Sequence, residues 1–414
     1  MSDRALYQET SVPSMGRPRV VFAFAVWPNK IGGVERFSEE LARQLNLKGW
    51  DLTVWFEDEP PALVREFLLA PGNVRVDIFP AQSQMGAANV KRFLRMLSKE
   101  RPALVCYSLG GVLQLWPFLG RLMGAKGSVY YDQTSRTKGG ENYRASGVVR
   151  WLMKPLSRSV CATHFVKRCS DREGIVPASK SMVIFSGTDR TCPQGRGEHF
   201  RQHFGIPLDR TLVMQVSWLV PEKGIDVALR AAALAIAQQP SLHFVFCGEG
   251  PHQAEYDRLA KELGIENQVT WTGQVQDLIG GGAFQAADIL IQCSQWQEAF
   301  GFSVAEGMAA GLPIIASRIG GLPELVRDGE NGFLFEPTSF SELAQHILHL
   351  QADPDLRERM GEHSRKIVAE HFDLSVCVTQ WVDLLTSLSC RSTGRFVRRV
   401  RMASRSRFAG RPTS

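Results

Sequence analysis

The chain has 414 residues, 44% of them hydrophobic, enough to bury a large core and, at roughly 150 residues per domain, to form two or three domains. Its net charge of +6 belongs to one end: eight of the 48 basic residues are arginines within 391–414, where no acid occurs, so 40 basic residues face 42 acidic ones elsewhere. No run of 18 apolar residues offers a membrane span, the polar residues 1–18 contain no signal-like apolar core, and nucleic acid is not expected as a partner.

Eight cysteines without a Cys-x-x-Cys pair fit a reduced, cytosolic compartment. Along the chain, residues 19–26 (RVVFAFAV) form an unbroken apolar run that ends at Trp27-Pro28-Asn29 and predicts a strand buried on both faces of a parallel sheet. Gly32-Gly33 then opens a helix whose Val34, Phe37, Leu41 and Leu45 lie on one stripe, and Leu52–Phe56 is the next strand. This βαβ unit has a glycine turn at the carboxyl end of its first strand, where open α/β sheets bind ligands, although two adjacent glycines also make a plain turn. Further strands are predicted at 74–79, 104–107, 129–132, 162–166 and 182–185. Residues 112–123 (VLQLWPFLGRLM) read either as a packed helix interrupted at Pro117 or as a membrane-facing, lipid-acceptor surface, and 133–145 as a polar loop near the cleft.

Residues 191–210 are rich in charge and turn formers and read as a linker. The pattern then restarts, with strands at 211–217, 242–247, 269–272, 289–292, 313–316 and 333–335, helices at 225–237 and 253–263, and three helices over 339–388. The expectation is an α/β protein of two doubly wound Rossmann-like domains, 19–190 and 211–373, facing a central cleft after a flexible 1–18. Residues 374–390 are expected to form a helix packing back towards the first domain, and 391–414 a disordered basic tail. That tail reads as an attraction to an anionic membrane surface or as a solvated terminus.

The densest chemistry lies between Ser294 and Glu324. Ser303 is a candidate N-cap with Glu306 three residues on, and Gly311-Leu312-Pro313 is a stop, so 303–310 is predicted as a short helix. Its unpaired N–H groups and positive dipole end point at the turn Phe300-Gly301-Phe302, a seat for a phosphate. Glu298 and Glu306 flank that seat and could accept hydroxyls of a phosphate-linked polyol. Taken singly, Glu306 is also the far half of a capping box and Glu298 a solvated loop acid.

The runs VSWLVPEKGID (216–226), FVFCGEGP (244–251) and GGLPELVRDGENGFLF, with the 294–324 stretch, resemble the nucleotide-sugar-binding half of family-4 retaining glycosyltransferases of the GT-B fold. IGGVERF at 31–37 resembles the other half more loosely. The resemblance implies that Glu298 bonds the donor sugar, Glu306 holds the ribose, and Phe300, Gly301 and Phe302 offer backbone N–H groups to the diphosphate. Lys223 would neutralise that diphosphate, with Gly32, Gly33, Trp218 and Gly248 also lining the donor site. Two departures stand out: Trp218 replaces an arginine usual in the family, and no histidine precedes His164 to supply the family's cleft histidine. YYDQTSR leaves Asp132 or Gln133 in that place; Asp132 is taken as the substitute catalytic group, and His164 as a core residue of a strand. Asp353-Pro354-Asp355 reads as an N-cap, so neither metal nor cofactor is expected.

The implied function is transfer of a sugar from a nucleoside diphosphate sugar to a carbohydrate or lipid-linked acceptor with retention, in polysaccharide or glycolipid biosynthesis, by a cytoplasmic protein peripheral to the inner membrane face. Two alternatives stay open. One is a catalytically silent sugar-nucleotide-binding scaffold, and the other an epimerase that needs no acceptor.

Overall fold

The computed structural model describes residues 17–24, 33–79, 86–108, 115–134, 144–189 and 195–405, with side chains to 390. In the first half, strands β1 (Arg19–Phe24), β2 (Asp51–Phe56), β3 (Val74–Ile78), β4 (Leu104–Ser108), β5 (Gly127–Asp132), β6 (Arg158–Cys161) and β7 (Ser181–Val183) alternate with helices. These are α1 (Gly33–Leu47), α2 (Ala62–Leu69), α3 (Ala87–Glu100), α4 (Trp116–Leu122), α5 (Gly147–Leu152) and α6 (His164–Glu173). The strands form one sheet in the order β3-β2-β1-β4-β5-β6-β7, every neighbouring pair parallel. The apolar run of β1 is buried on both faces because helices cover both.

The second half repeats the plan with β8 (Thr211–Val216), β9 (Leu242–Cys247), β10 (Val269–Gly273), β11 (Ile289–Gln292), β12 (Ile314–Ser317) and β13 (Gly332–Phe335), in the order β10-β9-β8-β11-β12-β13. Its helices are α7 (Gly197–His203), α8 (Ile225–Gln238), α9 (Gln253–Glu262), α10 (Ala283–Ala286), α11 (Phe302–Ala310), α12 (Leu322–Leu325), α13 (Phe340–Ala352), α14 (Pro354–Ile367) and α15 (Leu374–Arg405). Two doubly wound parallel sheets, as expected from the alternating pattern, thus share one chain.

Three expectations need correction. The strand predicted at 162–166 ends at Cys161, and Thr163 instead caps α6, its Oγ1 accepting the Val166 N–H at 3.2 Å. His164 is therefore the exposed first residue of a helix and not a core strand residue. The expected linker contains α7, which docks against α10 and the approach to β11: Arg201 Nη2 donates to Asp288 Oδ2 at 2.9 Å and Arg201 Nε to the Ala286 carbonyl at 2.8 Å. At seven residues α7 is too short to show a clear helical period. Finally, α15 runs on to Arg405, into the segment expected to be disordered, because a nucleated helix propagates cheaply into residues of fair helix propensity.

Several contacts join the two halves. Trp381 on α15 is fully buried among first-half rings, 5.6 Å from Phe22, 5.7 Å from Phe37 and 4.8 Å from Tyr131, and Gln44 Nε2 donates to the Ser375 carbonyl at 2.8 Å. The chain's two passes between halves pair at Thr188, whose N–H donates to the Phe372 carbonyl at 2.8 Å and whose carbonyl accepts from Leu374 at 3.0 Å. Nearer the cleft, Glu324 accepts the His164 N–H at 2.8 Å and the Phe165 N–H at 2.5 Å, giving the N-terminus of α6 a carboxylate from the other half.

Candidate functional site

Each sheet reverses its strand order beside its first strand, between β1 and β4 and between β8 and β11. In open α/β sheets the crevice at that point, at the carboxyl ends of the strands, binds ligands. Here one cavity of about 520 Å³ is lined from both halves, by Gly33, Arg36 and Gln133 of the first and by the loops after β8, β9, β10 and β11 of the second.

The loop after β11 builds most of the chemistry. Glu298 is buried, and its Oε1 accepts three bonds: from Lys223 Nζ at 2.5 Å, Ser294 Oγ at 2.5 Å and Trp296 Nε1 at 2.9 Å. Burial by itself would raise its pKa, but the Lys223 ammonium and these donors outweigh it and hold the carboxyl below its ordinary value. Lys223 Nζ also sits 4.7 Å from the centre of the Trp296 ring, a cation–π contact that fixes it from a second side. The sequence reading of Glu298 as a solvated loop acid therefore fails. The group is a buried, ionised acceptor that can receive hydroxyl donors.

The short helix predicted at 303–310 is present with a different cap. α11 starts at Phe302 with Gly301 as its N-cap, and Ser303, expected to cap it, donates instead to Gln292 Oε1 at 3.2 Å. Gly301 has φ +97°, and a Cβ there would stand 2.8 Å from Leu322 Cδ2, so only glycine makes the turn without strain. The bond from Ser303 opens a chain aimed at the carboxylate: Gln292 Nε2 donates to Ser294 Oγ at 2.7 Å, and Ser294 Oγ to Glu298. This chain couples the helix N-terminus to Glu298. Glu306 follows one turn into α11, buried and on the cavity wall. Behind the loop, the Gly321 N–H donates to the Glu298 carbonyl at 2.7 Å and the Gly320 N–H to Gln297 Oε1 at 2.9 Å, so the Gly320-Gly321 segment braces the acid's main chain.

The first half closes on this seat through Gly33. A Cβ on Gly33 would lie 2.3 Å from Phe302 Cδ1, so the missing side chain is what lets the N-terminus of α1 approach that of α11. One turn along α1, Arg36 Nη2 bonds Asp277 Oδ1 of the second half at 3.0 Å and its Nη1 lies 3.8 Å from Asp189. Among the described lining residues, Arg36 and Lys223 are the cations.

Two family models match the chain in succession, Glycosyltransferase Family 4 over residues 31–191 and Glycosyl transferases group 1 over 197–367. The chain belongs to the family-4 glycosyltransferases. Its GT-B fold is similar to that of Anabaena Alr3699/HepE in complex with UDP (22% identity, 89% of this chain and 100% of that one, TM-score 0.73). A glycosyltransferase from Rickettsia africae is similar to the same degree (19% identity, 90% and 99% covered, TM-score 0.74). Among curated relatives, a D-inositol 3-phosphate glycosyltransferase of Corynebacterium glutamicum is 33% identical over 199 residues, 46% of each chain, and one of Streptomyces scabiei 27% identical over 386 residues, 80% of this chain and 81% of the relative. The chain spans about half the length of the first of these relatives.

Within this family frame, the structure brings Gly33, Lys223, Trp218, Gly248, Glu298, Phe300, Gly301, Phe302 and Glu306 to one cavity. Gly32 lies outside the described residues. Asp132 is not on the wall. It is buried at the end of β5, its Oδ1 accepting the Thr134 N–H at 3.2 Å, while Gln133 faces the cavity. Sequence reasoning missed Arg36, Gln292, Ser294 and Trp296. Arg36 was legible as the residue three positions after Gly33, on the turn of α1 above it; the other three serve Glu298 through contacts that no spacing announces.

Proposed function

We propose that this protein transfers a sugar from a nucleoside diphosphate sugar to a glycan or lipid-linked acceptor with retention of configuration and without a metal, in polysaccharide or glycolipid assembly. One juxtaposition carries the reading: buried, ionised Glu298 bonded to Lys223 beside the N-terminus of α11, with Glu306 one turn further in. In this reading the diphosphate sits on the first N–H groups of α11 between Lys223 and Arg36, Glu306 receives the ribose hydroxyls, and Glu298, through Oε2, receives the sugar's. As the bond from the anomeric carbon to the diphosphate breaks, its electron pair leaves with the phosphate. Lys223, Arg36 and the helix N-terminus stabilise that charge where it develops, which is the transition-state stabilisation a metal would otherwise supply. The acceptor hydroxyl attacks from the leaving-group face and passes its proton to the departing phosphate oxygen, so configuration is kept. The reaction is placed in the cytoplasm, with the basic 391–414 segment drawing the protein to an anionic inner membrane face.

A thermal-shift panel of nucleoside diphosphates and their sugars tests the donor reading. A ligand at 100 times its Kd adds about 2.7 kcal/mol of stability, and no shift with any of them removes the reading. Product anomers resolved by NMR test retention, and turnover unchanged by EDTA tests the metal-free step.

A second reading, a silent sugar-nucleotide-binding scaffold, is favoured by two observations: Trp218, 62% exposed, stands at the cavity where a further cation is usual in the family, and no histidine is among the described lining residues. Glu306→Ala and Lys223→Ala separate the two. An enzyme loses turnover, whereas a scaffold keeps its role in the cell.

A further inference from the structure

The described residues include twelve exposed large apolar side chains, and five of them gather on one corner of the first half: Phe118 and Leu122 on α4, Met123 just after it, and Val148 and Trp151 on α5. Trp151 is 56% and Leu122 70% exposed, and the rings of Phe118 and Trp151 are 6.2 Å apart. Single exposed apolar residues are ordinary, but a contiguous group of this size marks a surface that something covers.

The charges around the group decide what. Arg121, Lys126, Arg144, Arg150 and Lys154 are all exposed on the same two segments, and Lys180 reaches the corner through bonds to the Lys154 and Leu156 carbonyls, each 2.8 Å. The sequence holds no Asp or Glu from 101 to 131 or from 142 to 170. Among the described residues Glu173 approaches, its main-chain carbonyl accepting the Ala145 N–H at 2.8 Å. A second copy of this face would repel the first, so the occupant is anionic. Leucine, phenylalanine and tryptophan ringed by arginine and lysine also match the composition of surfaces that settle at the headgroup level of a bilayer.

We propose that α4, α5 and the residues following them form a docking face for an anionic lipid bilayer, with Phe118, Leu122 and Trp151 entering the interface and the five exposed cations meeting lipid phosphates. This face belongs to the half opposite the Glu298 seat. Gln133, on the cavity wall, lies on the chain segment that leads from β5 to α5, so a lipid-linked acceptor held at the membrane would enter on the first-half side of the cleft. The inference does not depend on sugar transfer, because its test reads vesicle binding and not turnover.

The test is flotation of the full chain with vesicles of phosphatidylcholine, with and without phosphatidylglycerol, near physiological salt. Wild type is expected to float with the mixed vesicles and far less with pure phosphatidylcholine. The double variant Phe118→Ser/Trp151→Ser and the charge reversal Arg121→Glu/Arg150→Glu should each lower partitioning on the order of tenfold or more. All four positions are exposed, so both variants should keep the wild-type Tm, and a chain lacking 391–414 should keep most of its binding. Wild-type binding by both double variants would overturn the proposal, as would complete loss on removing 391–414 alone or binding only to an acidic protein and to no vesicle.

Discussion

The two walls of the cleft are built differently. The second-half wall is a network: Lys223, Ser294 and Trp296 all converge on one oxygen of Glu298, and a chain of side-chain bonds runs from Ser303 at the N-terminus of α11 to the same atom. The first-half wall offers, among the described residues, Gly33, Arg36 and Gln133, of which Gly33 contributes only the space it leaves. In the proposed reaction, the preorganised wall suits the diphosphate and its sugar, and the sparse wall suits the acceptor. Substitutions on the two walls should therefore fail in different ways.

The largest effects belong to the network. Lys223→Ala is expected to lower kcat by about 10² to 10³, the usual loss for removing a group that acts on developing charge. It also leaves Glu298 buried without its cation, which should cost roughly 3 kcal/mol in thermal or urea unfolding. Normal turnover in this variant would break the comparison at its strongest point. Trp381→Ala removes the ring that ties α15 to the first half and should destabilise the protein by about 3 to 5 kcal/mol, read as a lower Tm.

Acid stability gives a second view of Glu298. Its folded pKa is depressed, so its contribution is fully present above the ordinary value of 4.5 and is lost as pH falls through the lower folded value. Glu298→Gln should flatten the stability-versus-pH curve in that acid window and leave its slope near neutrality alone; an unchanged acid limb would mean that the carboxyl carries no such shift.

Ser294→Ala removes one of three donors to Glu298, and about a tenfold fall in kcat with 1 to 2 kcal/mol of stability is the expected scale. Smaller and different in kind, Gln133→Ala should raise the acceptor KM several-fold while the affinity for a nucleoside diphosphate stays put. If it weakened the diphosphate instead, the division of labour between the walls would be wrong.

Much of this was legible from residues alone. Nearly every strand of both sheets followed from apolar runs between turn formers, because parallel strands covered on two sides need such runs. Glu298, Gly301 and Glu306 stood out because glycine turns, a helix N-terminus and carboxylates near it are local features, Lys223 stood out only through the family resemblance, and all four line one cavity. What stayed hidden depended on side-chain direction or on distant partners. Thr163 turned a predicted strand into a helix by capping it, Asp132 was buried at the end of β5 while Gln133 lines the cleft, and Ser303 bonded Gln292 across the loop in place of its own helix. Gln292 and Ser294 read as unremarkable polar residues until the fold set them end to end beneath Glu298.

In the proposed donor site a diphosphate occupies the seat between α11 and Lys223, with Arg36 closing it from the other half. Calorimetric titration of a nucleoside diphosphate against its monophosphate, in wild type, Lys223→Ala and Arg36→Ala, tests this most directly. Wild type is expected to favour the diphosphate by about tenfold or more, each variant to lose most of that preference, and the monophosphate affinity to stay nearly constant throughout. Equal affinities for the two nucleotides in wild type, or a preference that survives both substitutions, would contradict it.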